Sequence, residues 1–352
     1  MIKRDSIEGD KFFKAVVGRS ELEMLSKENL QSYYNDSRIL IIGAGGSIGS
    51  AIARRLASAQ IPEIFFLDHD ESALHSLALE LSDISASQSE RYLLADIRDY
   101  HGIKNAISVI DPTMVIHAAA LKHLVTLERF PREGYLTNIE GTLNVATACK
   151  NLNVQQLINI STDKAANPIS VLGKTKKLAE LIVEEVFINS GLLQCSVRFG
   201  NVFASRGSVI ETFVHQINSG IPVTITNMEV ARFFMSHNEA ANLVLAAASL
   251  KESGTFIQNM GEEVRMVDVA NRIAKFLDRS ATVKIIGLQE GEKLREELLD
   301  GPVIPTKFES ILRSTYSVEY GIVEEVKENS PSNNEEAIKM LDSLFLRFTV
   351  QK

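Results

Sequence analysis

Residues 41–50 read IIGAGGSIGS: the end of an apolar run, a glycine cluster, and the start of a new pattern. The run 38–42 (RILII) is rich in β-branched residues and stops at Gly43, which predicts a buried first strand. Ala51, Ile52 and Leu56 then recur at helical spacing, so a helix is expected to begin at Ser47. Gly43, Gly46 and Gly49 stand where a side chain would hold the backbone away from a pyrophosphate. The amides of Ser47, Ile48 and Gly49 at the helix start can bind such an anion. An ordinary glycine-rich turn has the same local pattern, so the acids downstream carry the decision. Asp68 ends the second apolar run (64–67, IFFL), where a carboxylate accepts from adenosine ribose hydroxyls. Asp96 and Ile97 follow the third run (91–95, RYLLA), at an edge that faces an adenine amino group. Either acid could instead cap a helix, although Asp70 can take that task beside Asp68. Together they point to a dinucleotide. Asp68 repels a 2′-phosphate and favours NAD, while His69 and nearby arginines leave NADP open.

Outward from this turn, short apolar runs alternate with helical stretches. After 91–95 come 113–118 (TMVIHA), a long helical region through Lys150, 156–160 (QLINI), a helix over 173–188, and 195–200 (CSVRFG). Such alternation means parallel βαβ units, hence a Rossmann-type doubly wound α/β sheet over 38–200. Residues 1–37 read as a helical extension, with Val17, Leu22, Leu25, Leu30 and Tyr33 at helical spacing. Beyond 200 glycines punctuate shorter elements, so 201–326 is expected to be mainly a smaller interleaved lobe, with about 230–260 returning to the sheet. Residues 327–334 read as a linker and 335–346 as a terminal helix.

The 352 residues are 45% hydrophobic and 23% charged, which excludes disordered and collagenous classes. With 37 Lys and Arg against 45 Asp and Glu, the net charge is −8, so no global field attracts nucleic acid. Cys149 and Cys195, far apart in apolar stretches, suit reduced core thiols, and no zinc-type spacing exists. The charged N-terminus and the lack of any apolar run near ~18 residues predict a cytoplasmic chain with no membrane span.

The chemistry-bearing segment is 161–164. Here a strand runs into Ser161-Thr162-Asp163-Lys164, placing hydroxyls, an acid and a base at the carboxyl edge of a parallel sheet, where ligands bind. Lys176, on the following helix, can reach the ribose of the nicotinamide. A surface salt bridge would explain Asp163 and Lys164 equally in isolation; inside a nucleotide cleft, acid–base work is the better reading. Gly173-Lys174-Thr175 ends like a P-loop, but Pro168 stands where that motif needs its first glycine.

The GAGGSIG turn, HAAALKH (117–123), STDKAANP (161–168), VRFGNVFASRGSVI (197–210), ARFFM (231–235) and GEKLREEL (291–298) resemble the UDP-N-acetylglucosamine 4,6-dehydratases of the extended short-chain dehydrogenase/reductase superfamily. These are polysaccharide-biosynthesis proteins. The N-terminal VVGRSELEML resembles the segment preceding the catalytic half of long, membrane-anchored members, and the chain carries that half without the membrane part. The resemblance implies a tightly bound NAD or NADP that takes hydride from C4 of the sugar and returns it to C6 after water leaves. It makes Asp163 the acid for the departing C6 hydroxyl, Lys164 the base for the C5 proton, and Thr162 a partner of the C4 oxygen. Lys164 must then act as a neutral amine, so a lowered pKa is expected.

One departure stands out. The tyrosine of the superfamily, four residues before Lys176, is Leu172, and all seven tyrosines (Tyr33, Tyr34, Tyr92, Tyr100, Tyr135, Tyr316 and Tyr320) lie outside 136–315. Lys176 working through Thr162, Ser161 or water would have to replace it. The long, C5-retaining members also lack the tyrosine, which favours the retaining type over the C5-inverting one. A UDP-sugar epimerase and a non-catalytic nucleotide binder are the competing readings.

On the substrate side, the resemblance puts Lys122 and His123 beside the sugar, after the small residues Ala118, Ala119 and Ala120 that admit the cofactor. Asn138 is placed to hold the cofactor region or to pack. Asn201, Arg206, Ser208, Val209 and Arg232 could hold the diphosphate of a UDP-sugar, and Glu296 the uridine ribose. An interior histidine at 123, an internal ion pair at Arg232 and a solvated helix face at Glu296 are the alternatives. A homo-oligomer is implied as well.

Overall fold

The computed structural model describes residues 9–82, 89–314 and 320–349. Residues 1–8 of the expected extension, 350–352 and Tyr316 lie outside the described residues. Six apolar runs form parallel strands: β1 (Ile39–Ile42), β2 (Ile64–Asp68), β3 (Tyr92–Leu94), β4 (Met114–His117), β5 (Gln156–Thr162) and β6 (Leu193–Phe199). Because all four residues of β1 are buried, it takes the middle of the sheet, between β2 and β4. Shorter strands follow: β7 (Asn201–Val202), β8 (Val223–Ile225), β9 (Ala231–Arg232), β10 (Phe234–Met235), β11 (Gly254–Gln258), β12 (Val264–Arg265), β13 (Val283–Ile285), β14 (Val303–Pro305) and β15 (Ile311–Ser314).

The main sheet has nine strands in the order β14-β15-β11-β6-β5-β4-β1-β2-β3. β11 extends the parallel part against β6, and β15 and β14 close that edge antiparallel. Strand order reverses between β1 and β4, so the loops after these two strands part and open a crevice at their carboxyl ends. One apolar cluster covers one face through the helices Ser47–Ser58 and His237–Ser249; a second covers the other through Gly141–Asn151, Val171–Phe187 and Asn334–Thr349.

A third cluster joins Phe12, Phe13 and Val16 to Phe203, Phe213, Val269 and Ile273, so the N-terminal helix Asp10–Val17 belongs to the core of the smaller lobe. The N-terminal stretch is two helices, Asp10–Val17 and Lys27–Tyr34, because Gly18 at φ +95° ends the first. Tyr34, not Tyr33, is the buried member of the second, and Leu22 is exposed between them. The long helical region before Lys150 is broken at Phe130, which the following Pro131 forces out of helical conformation; a π-helical turn, Tyr135–Glu140, then precedes Gly141–Asn151. The expected linker begins inside a helix, Ile322–Glu328, and the terminal helix runs Asn334–Thr349. No helix among the described residues is long and apolar enough to cross a membrane.

Candidate active site

At the end of β1, backbone packs directly on backbone. Gly43 adopts φ +82°, and a Cβ there would lie 2.5 Å from the amide nitrogen of Ala119 beyond β4; at Gly49 it would lie 2.1 Å from the carbonyl oxygen of Gly43. Only glycine fits either position. Gly46 precedes the helix Ser47–Ser58, whose first amides have no side-chain cap. A cavity of about 350 Å³ opens over this turn, walled by Gly43, Gly46, Asp68, Asp96, Ile97 and Ala118–Ala120 among others. The Asp68 carboxylate accepts from the amides of Gly45 (2.9 Å) and Asp70 (3.0 Å), tying the turn to the end of β2. Asp70 and Asp99, not Asp68 and Asp96, cap the two following helices, accepting from Ala73 and His101. Asp96 stays exposed on the wall. A cradle that a Cβ would fill, an uncapped helix start and an acidic rim fit a dinucleotide.

A second cavity of about 600 Å³ shares Gly46, Ala118, Ala120, Leu121 and Arg206 with the first. It collects Ser47, Ile48, Lys122, His123, Thr162, Lys164, Lys176, Asn201, Ser208 and Val209 from five separate segments. At its wall β5 ends in a 3₁₀ turn, Asp163–Ala165, whose cap Thr162 accepts from the Lys164 amide. Thr162 Oγ1 donates to Asp163 Oδ1 at 2.9 Å, and Lys164 Nζ donates to the same oxygen at 3.0 Å. Asp163 is fully buried, and its Oδ2 has no partner among the described residues.

Lys164 Nζ also donates to Asn201 Oδ1 at 3.3 Å and lies 3.6 Å from Glu296 Oε1. Burial opposes its charge, but Asp163 and Glu296 outweigh burial and raise its pKa, contrary to the expected lowering. The depressed lysine is Lys176, which burial lowers to about 8 against the opposing pull of Glu180. Leu172 lies on the same cavity wall as Lys176, and no lining residue among those described is a tyrosine. His123 is exposed on the wall rather than interior, with its ring against Gly207. Lys122 Nζ is 3.4 Å from Ser205 Oγ. The Arg206 amide donates to Ser47 Oγ at 3.2 Å, which ties the 205–208 loop to the glycine turn.

The polysaccharide biosynthesis protein family matches residues 39–315. The chain belongs to that family. It is 39% identical to the capsular polysaccharide biosynthesis protein CapD of Staphylococcus aureus over 291 residues, 81% of this chain and 48% of CapD. The chain thus spans about half the length of the curated relatives it matches first. It is 33% identical to the UDP-glucose 4-epimerase of Rickettsia prowazekii, over 75% of this chain and 78% of the epimerase. Among solved structures, Pen from Bacillus thuringiensis is similar with a TM-score of 0.70 and 33% identity, covering 76% of this chain and 84% of Pen. More distant chains of the same fold, at 20% and 16% identity, were crystallised with NAD.

In this family member three expected ligand contacts lie elsewhere. Asn138 is buried in the π-helical turn; its amide exchanges hydrogen bonds with Leu121 backbone N and O (2.9 and 3.0 Å) and donates to Thr175 Oγ1. It holds the loop after β4 from behind and lines neither cavity. Arg232 is spent internally, on Glu292 Oε1 (3.1 Å) and the carbonyls of Ala231, Lys293 and Leu294. Glu296 is buried against Lys164 and also lines neither cavity; residues 291–300 are not helical, so neither the ribose contact nor a helix face describes it. Ser161 donates to Glu180 Oε1 at 2.6 Å.

That last bond belongs to a network unforeseen in the sequence. Arg198, fully buried in β6, pairs with Glu180 (2.7 Å) and Asp300 (2.8 Å), and Lys177 reaches Asp300 at 2.6 Å. The signal was present: an arginine inside an apolar strand has to find a carboxylate, since its charge is costly to bury alone.

Proposed function

We propose that this chain is a nucleotide-sugar 4,6-dehydratase that binds NAD or NADP over Gly43, Gly46 and Gly49 and acts on UDP-N-acetylglucosamine. The product is a UDP-4-keto-6-deoxy sugar with C5 configuration retained, made for surface polysaccharide. The observation that carries this reading is the 3.0 Å hydrogen bond between a base and an acid: Lys164 lines the cavity adjoining the glycine cradle, and Asp163 is fully buried directly behind it. The bound dinucleotide supplies a hydride acceptor at C4 and a donor at C6.

Elimination needs one proton delivered to the C6 oxygen and one removed from C5. The ion pair Asp163–Lys164 becomes a neutral acid and a free amine when one proton moves along its own hydrogen bond. The raised pKa of Lys164 favours the ion pair and opposes this transfer; over one elimination the pair gains the C5 proton at Lys164 and gives one to the C6 oxygen from Asp163, ending as the ion pair in which it began. Lys176, lowered to about 8, reaches the neutral amine at mildly alkaline pH and draws the C4 hydroxyl proton through Thr162 or water. Ser161, already donating to Glu180, is the weaker relay. Lys122, His123, Asn201, Arg206, Ser208 and Val209 hold the UDP-sugar, with the exposed Arg206 as the cation nearest both cavities.

A UDP-sugar epimerase is the second reading, favoured by the Rickettsia relative. Mass spectrometry of the nucleotide sugar after incubation separates the two. Dehydration removes one water; epimerisation leaves the mass unchanged, and a non-catalytic binder leaves the sugar untouched.

A further inference from the structure

The motif 291–298 lines neither of the two cavities, yet it is tied to the segment after the catalytic turn at one end and to β6 at the other. Lys293 Nζ donates to the carbonyls of Ala166 (3.2 Å) and Asn167 (2.7 Å), directly after the 3₁₀ turn. Arg232 donates to the carbonyls of Lys293 and Leu294, and the Ala231 amide donates to Leu294 as well. At the other end Arg198 donates to the Leu298 carbonyl at 3.3 Å and pairs with Asp300. Between these anchors Glu296 is buried, its Oε1 3.6 Å from Lys164 Nζ. The lysine is thus held by Asp163, Asn201 and Glu296 together.

We infer that Glu296 is a positioning residue for Lys164: its buried carboxylate fixes the amine toward the C5 proton and stabilises the ammonium that forms when that proton arrives. This rests on the dehydratase reading. When Lys164 takes the C5 proton, the C5–H bond breaks, its electron pair stays on the sugar, and the C6–O bond breaks with the oxygen protonated by Asp163. Positive charge then grows on Nζ opposite the buried carboxylate of Glu296, whose fixed charge acts more strongly than one in bulk water. A ribose contact would act on nucleotide affinity; a positioning carboxylate acts on the elimination step.

The test compares Glu296→Gln and Glu296→Asp with the wild type, reading kcat, KM for UDP-N-acetylglucosamine, UDP binding, and incorporation of solvent deuterium at C5. Glu296→Gln is expected to lower kcat about 10²-fold, as misplacement of a reacting group does. C5 exchange slows in parallel while KM and UDP binding hold, and Glu296→Asp recovers part of the rate. Weakened UDP binding with kcat preserved overturns the inference in favour of a ribose contact. If Glu296→Gln does not fold, judged by dinucleotide binding and thermal unfolding, Glu296→Asp alone decides: reduced kcat with unchanged KM supports the inference, and wild-type kcat overturns it. A wild-type protein that neither loses water nor exchanges C5 overturns the dehydratase reading and this inference with it, whereas wild-type exchange beside an unaffected Glu296→Gln overturns this inference alone.

Discussion

Around the glycine turn, backbone meets backbone; at the end of β5, charged side chains from distant segments meet one another. The first region holds its shape through contacts that leave no room for a Cβ, as between Gly49 and Gly43. The second holds its shape through Asp163, Lys164, Asn201 and Glu296, from three stretches of the chain, with Arg198, Glu180 and Asp300 behind them. The cofactor half should therefore be intolerant of volume, and the acid–base half intolerant of lost charge.

Gly49→Ala presses hardest on the first claim. A methyl group 2.1 Å from a carbonyl oxygen must shift the turn, so dinucleotide binding measured by calorimetry should vanish and stability should fall by about 1–3 kcal/mol. Retained binding would mean that the cradle yields. Lys164→Ala presses on the second: turnover should drop about 10³-fold, as for a lost general base, while dinucleotide affinity stays at the wild-type value. Loss of both together would make Lys164 a structural residue and erase the contrast between the two regions.

Smaller effects sharpen the picture. Glu180→Gln leaves the buried Arg198 with Asp300 as its remaining carboxylate and should cost about 1–2 kcal/mol in denaturant unfolding. Removing the exposed pair Lys339–Glu335 should cost less than about 1 kcal/mol. Lys176→Met works through pH. A lysine with a folded pKa near 8 and an unfolded value near 10.5 makes the ligand-free protein less stable below pH 8, and that loss is relieved as pH climbs between the two values. The variant should thus exceed the wild type by up to about 3 kcal/mol at pH 7, with the gap closing toward pH 10.5. An unchanging gap would show that Lys176 is not held at a depressed pKa.

The glycine turn and its acids were legible in the sequence because their geometry is local: Gly43, Gly46, Gly49, Asp68 and Asp96 act within one or two βα units. The parallel, doubly wound sheet followed from the same alternation. The boundaries that moved did so for local reasons too, a proline after Phe130 and a glycine at 18. The substrate half was legible only as a set of residue types. Arg232 and Glu296, and Asn138 on the cofactor side, were polar residues that bind either a ligand or other protein groups. Which of the two occurs depends on tertiary pairing, here with Glu292, Lys164 and the Leu121 backbone, that no single stretch encodes. The Lys164 pKa moves opposite to the expected direction because its sequence neighbour Asp163, joined by Glu296 from a distant stretch, outweighs burial.

Proton NMR of the protein with UDP-N-acetylglucosamine in heavy water tests the acid–base role of Asp163 and Lys164 most directly. A new C6 methyl signal, deuterium at C5 and retained C5 configuration are the predicted result. A sugar with its C6 hydroxymethyl group intact, whether epimerised or unchanged, would contradict it.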